Sequence, residues 1–115
     1  MKELNEEINQ KQDHSIDELY ILLGEEYIGK SAIDRDKESI KNQGKIAFDS
    51  YASLIKSKIC NNEKIRKHLL EEGTNMTHLT IAIVDLIASS VIGISPVTIA
   101  VICTKMGVKS ICTKY

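Results

Sequence analysis

Apolar positions recur at three- and four-residue spacing along almost the whole chain, and no stretch alternates apolar with polar residues long enough to predict a strand. The pattern is all-α. Ser15-Ile16-Asp17-Glu18 has the form of a capping box, with Ser15 as N-cap and Glu18 reaching back to it. Behind it Ile16, Leu19, Tyr20, Leu23 and Tyr27 share one helical face, and Gly29 stops the helix. A longer helix is predicted from about Asp36 to Cys60, with Ile40, Ala47, Tyr51, Leu54 and Ile55 turned inward. Gly44 lies inside it at a cost of about 1 kcal/mol against Ala, which predicts close packing there.

Asn62 is placed to cap a short helix from Glu63 to Glu72, ended by Gly73. Thr77 opens a further helix that ends before Gly93, and Ser95-Pro96 supplies an N-cap with proline at the first helical position. The helix opened there runs to about Cys112. Residues 1–12 offer only Leu4 and Ile8 at helical spacing, which predicts a weakly ordered N-terminal arm. The expectation is one helical domain over 1–115, a compact bundle of about five helices. Its core is a C-terminal apolar hairpin, about 77–92 and 95–112.

That hairpin competes with a membrane reading. Leu86 to Thr104 is an uncharged run of nineteen residues. As a helix it would span about 28 Å, close to the roughly 30 Å of a bilayer core. Against insertion, Gly93-Ile94-Ser95-Pro96 puts a stop and a start in mid-run, and Asp85 is costly in lipid. Bases flank the run evenly, Lys64, Arg66 and Lys67 before it and Lys105, Lys109 and Lys114 after it, so they give it no orientation. On a helical wheel His78, Ala82, Asp85 and Ser89 form a narrow stripe on an otherwise apolar helix. Thr98, Lys105 and Lys109 form the polar stripe of the last helix, opposite the small residues Pro96, Ala100, Cys103 and Gly107. A covered hairpin needs just such slivers of polarity. Insertion of residues 79–104 as a hairpin or a single span is the alternative.

Charge changes the picture locally rather than globally. Fifteen Lys plus Arg against sixteen Asp plus Glu leave a net charge of −1, which excludes a generic polyanion binder. Residues 1–40 nevertheless carry a net −6, residues 41–73 a net +3, and residues 74–115 a net +2. With no Trp, one Phe and four Tyr, stacking platforms for single-stranded nucleic acid are few. Ile outnumbers Leu eighteen to nine and Lys outnumbers Arg thirteen to two, the bias of an AT-rich, low-GC bacterial genome. Cys60, Cys103 and Cys112 are odd in number and lack a framework spacing, so buried thiols in a reducing cytoplasm are expected. The start of the chain has no apolar core of a signal peptide, which agrees with that setting.

The search for chemistry returns little. His78, Asp85 and Ser89 are the residue types of a hydrolase triad, yet seven residues separate His78 from Asp85 by roughly 10 Å along a helix. Cys60 with His68, and Cys103 with Cys112, lack zinc-ligand spacing, and no glycine-rich phosphate loop occurs. The pairs Glu25-Glu26 and Glu71-Glu72 are adjacent and cannot share one helical face. Lys56, Lys58, Lys64, Arg66 and Lys67 make a basic cluster, expected as a solvated face that pairs with the acidic front half. Contact of that cluster with nucleic acid is a second alternative. No catalytic residue, metal or cofactor is expected. The leading expectation is a small cytoplasmic protein that binds a protein partner or a second copy of itself. An accessory subunit, inhibitor, antitoxin or immunity-type protein fits, with His78, Asp85, Ser89, Lys105 and Lys109 as candidate interaction residues.

Overall fold

Capping side chains fix most helix starts in the computed structural model, which describes residues 2–29, 35–70 and 75–114. These form seven helices and no strand, so the all-α bundle expected from periodicity is the fold. α1 (Lys2–Gln12) leads into the capping box that opens α2 (Ile16–Ile28). There Ser15 Oγ accepts the Glu18 N–H and Glu18 Oε1 accepts the Ser15 N–H, each at 3.1 Å. Asp36 Oδ1 accepts the Ser39 N–H at 2.7 Å to open α3 (Lys37–Ile59). Asn62 Oδ1 accepts the Ile65 N–H at 3.2 Å to open α4 (Glu63–Leu70). The predicted stop of this helix at Glu72 and Gly73 lies outside the described residues.

The next cap is Asn75, not Thr77: Asn75 Oδ1 accepts the Thr77 N–H at 2.7 Å and opens α5 (Met76–Ile87). α5 gives way to a turn at Ala88, short of the predicted limit near Gly93. Ser95 and Pro96 open α6 (Pro96–Met106) as expected. The single last helix does not form. Gly107 takes φ 94, a left-handed conformation that breaks the helix, and α7 (Val108–Lys114) follows.

α6 is the centre of the bundle. Val97 to Thr104 are eight consecutive buried residues, so the expected polar stripe exists only beyond them, at exposed Lys105. Helices α1, α2, α5 and α7 pack around it. The hairpin α5–α6 is therefore core, as the narrow stripes suggested. No helix among the described residues is long and apolar enough to cross a membrane. Buried hydroxyls are satisfied on the preceding turn: Thr80 donates to the Met76 carbonyl at 2.7 Å and Thr104 to that of Val101 at 3.0 Å.

Thr98 is buried instead of solvated because two other helices supply its partners. Its hydroxyl donates to Glu26 Oε1 at 3.0 Å and accepts from Lys11 Nζ at 2.7 Å. Lys11 also pairs with Glu7 at 3.0 Å, and Glu26 Oε2 accepts the Ser95 N–H at 3.0 Å. A carboxylate thus sits at the N-terminus of α6, where the helix dipole favours it. This knot, with fully buried Ile8, docks α1 against α6 within the residues 1–12 expected to form a weakly held arm. Periodicity alone missed it because one of the two anchors is a lysine.

α2 and α3 pack at unusually close range. A Cβ on Gly44 would collide with the Tyr20 carbonyl, and one on Gly24 with that of Ile40. The pairings 20 with 44 and 24 with 40 set an antiparallel register. Beside them Phe48 meets Tyr20 edge-on at 6.1 Å between ring centroids. Phe48 and Ala52 join the inward face of α3, whereas Tyr51 and Leu54 are only half-buried. Tyr27, expected in the core, is 52% exposed.

The cysteine expectation is overturned at two of three positions. Cys60 and Cys112 form a disulfide with Cα atoms 5.7 Å apart, joining the end of α3 to α7 across 52 residues. Spacing in sequence could not show a pair that only the tertiary fold brings together. Cys103 is the buried free thiol that was expected, and burial pushes its pKa up to about 12.

Two stability predictions follow from these contacts. Gly44→Ala gains about 1 kcal/mol in helix propensity but must push a backbone carbonyl away, so a net loss of about 1–3 kcal/mol on urea unfolding is expected. A neutral or stabilising outcome would show that α2 and α3 are not in this register. The second prediction concerns the capping box. The Ser15 backbone N–H, then the His14 ring and the Ser15 hydroxyl, hold the Glu18 carboxyl down from 4.5 to about 2. A folded pKa below the unfolded one gives stability that is complete above the unfolded value and lost as pH falls towards 2. Glu18→Gln should therefore lower Tm by a steady amount above about pH 5, with the gap from wild type closing on acidification. A gap that persists at the acid end would trace the loss to packing instead.

Candidate functional site

Residues of three helices converge on an open groove. On α5, His78, Ile81, Ala82 and Asp85 fall within two turns of one another and line its floor and one wall. On α4, buried Ile65 turns the helix so that Lys64 and His68, four residues apart, form the opposite wall. Asn5 of α1 also lines it, on a helix anchored by buried Ile8. The groove encloses about 360 Å³.

Two of the sequence candidates from the α5 stripe, His78 and Asp85, meet one from the basic cluster, Lys64. Asp85 is exposed at the rim and makes no ion pair with Lys105 or Lys109 among the described residues. Ser89, Lys105 and Lys109 are exposed but do not line the groove. The rest of the basic cluster is dispersed. Lys56 lines a separate cavity, Lys58 is half-buried, and Arg66 and Lys67 point to solvent.

The basic cluster Lys56, Lys58, Lys64, Arg66 and Lys67 makes no ion pair with the acidic front among the described residues, although Lys41 of the middle does pair with Glu38 of the front. Ion pairs among the described residues include Lys11 with Glu7 and Glu26, His14 with Glu18, and Lys41 with Glu38. The physical reason is reach. Lys11 is drawn to the α6 N-terminus, and two of the other pairs lie within one turn of their own helix or cap.

His68 and Asn5 were missed as partners of this face. For His68 a signal was present, since it follows Lys64 by one helical turn and so shares its side of α4. Asn5 gave no signal, because its place depends on α1 docking. No group of three or more His, Cys, Asp or Glu among the described residues is placed to hold a metal ion. What the groove offers is recognition chemistry: an ammonium, two imidazoles, a carboxylate and an amide around a small apolar floor. Comparisons with family models, curated proteins and solved structures found no significant match to this chain.

The rim position of Asp85 carries its own prediction. Asp85→Leu should change the unfolding free energy by no more than about 1 kcal/mol, since an exposed carboxylate without a partner adds little. A loss above about 3 kcal/mol in urea unfolding would mean that Asp85 is a paired buried anchor.

Proposed function

We propose that this chain is a non-catalytic helical module that binds a protein partner in the groove between α1, α4 and α5. One observation carries the reading: three helices bring polar groups of both signs around Ile81 and Ala82 on an open, accessible face. Protein interfaces combine such a small apolar centre with a polar rim. A partner segment that fits places a small apolar side chain on Ile81 and Ala82. It offers a carboxylate to Lys64 or the histidines and a donor to Asp85. Accessory subunits, inhibitors and antitoxin- or immunity-type proteins all work by recognition of this kind. A cytoplasmic setting suits the reduced form of the chain, whereas the Cys60–Cys112 bond supports an oxidising one.

A photo-crosslinking residue at position 82 tests the reading in the producing cell, with the same residue at exposed Ser110 as control. The expected result is one discrete protein adduct from position 82, absent from position 110 and lost when Lys64→Glu and Asp85→Lys are added. Identical adducts from both positions would sink the proposal. So would a strict monomer by light scattering that gives no adduct at all.

A further inference from the structure

A larger cavity lies away from that groove, beside the disulfide. Ser53, Lys56, Ser57, Cys60, Asn61 and Cys112 line it, and it encloses about 510 Å³. Both bonded cysteines are half-buried: they pack against the core on one side and line this open space on the other. We infer that Cys60–Cys112 is a thiol–disulfide exchange site, accessible to a dithiol reductant and controlling whether α7 is fastened to α3. This inference is independent of the partner groove, because no residue is shared between the two.

The surroundings suit both the exchange and its consequence. A thiolate of the reductant attacks Cys112 Sγ, a mixed disulfide forms, and Cys60 leaves as a thiolate. Lys56, one turn before Cys60 and lining the same cavity, offsets the partial negative charge of the α3 C-terminus and favours that leaving group. The second thiolate of the reductant then attacks its own sulfur in the mixed disulfide and releases Cys112. Two electrons pass from the dithiol to the protein. The reductant becomes a disulfide, and both cysteines take up protons as thiols.

Opening the bond leaves little else on α7. It is seven residues long, it follows the left-handed Gly107, and Val108 and Ile111 are its buried side chains among the described residues. Gly107 is therefore placed as the hinge about which α7 swings. Cys103 cannot substitute as an exchange partner, because it is wholly buried on α6.

The test uses the native full-length protein with dithiothreitol in the absence of denaturant. Alkylation and mass measurement should show two newly reactive thiols, with Cys103 unlabelled and far-ultraviolet dichroism unchanged. Amide exchange should then speed up across residues 108–114 and stay slow across α6. The Cys60→Ser, Cys112→Ser double variant should show the fast exchange of α7 without reductant, and Lys56→Ala should slow reduction severalfold. The inference is overturned if the bond opens only once denaturant is added. It is equally overturned if reduction leaves α7 exchange unchanged, or if air-oxidised protein still presents Cys60 and Cys112 as free thiols.

Discussion

The burial of α6 on every side is the constraint from which the rest of this structure descends. Eight residues in a row, Val97 to Thr104, have no face left for water. Helices must therefore surround them, and each polar group among them needs an internal partner. At its N-terminal end the exposed amides of the first turn cannot be left to solvent. Ser95 caps Thr98, Glu26 takes the Ser95 amide, and Lys11 reaches the Thr98 hydroxyl. Two helices far earlier in the chain are thus fastened to its first turn, through bonds that span 69 to 87 residues.

The other helices are arranged around that requirement. α2 can lie against α6 and still pack on α3 because Gly24 and Gly44 let α2 and α3 approach with backbone nearly touching backbone. The gain is van der Waals contact along two turns, with Tyr20 and Phe48 filling the space beside the glycines. The same economy of side chain at the crossing leaves Tyr27 outside, at the far end of α2. α7 closes the opposite end of the bundle, and a covalent bond to α3 supplements its short apolar face.

With the apolar residues committed to the centre, polar chemistry is left at the surface, and two of the places where it gathers share no residue. The α1–α4–α5 groove has groups suited to recognition, and the cavity over Cys60 and Cys112 has a reactive bond beside a lysine. Neither draws on the buried thiol of α6, which desolvation keeps protonated. The proposed recognition and the inferred redox exchange are assigned to different faces, so one could respond to its environment without occupying the other.

The sequence by itself determined the class of fold, most helix starts and the role of the C-terminal hairpin as core. These are local matters. A capping box such as Ser15 to Glu18, an Asn or Asp before a helix, and Ser95-Pro96 act through hydrogen bonds within a few residues, so their signal is contiguous. The exposed stripe of His78, Asp85 and Ser89 was legible for the same reason, as helical periodicity fixes which residues share a side. Tertiary structure alone decided the remainder. Lys11 holds α1 because α6 presents Thr98 to it, and Gly24 matters because Ile40 lies across it. Lys64 and His68 join His78 and Asp85 through packing of α4 on α5, and Cys60 meets Cys112 across 52 residues. Each of these joins residues distant in sequence, and no local pattern encodes a contact whose other half belongs to another helix.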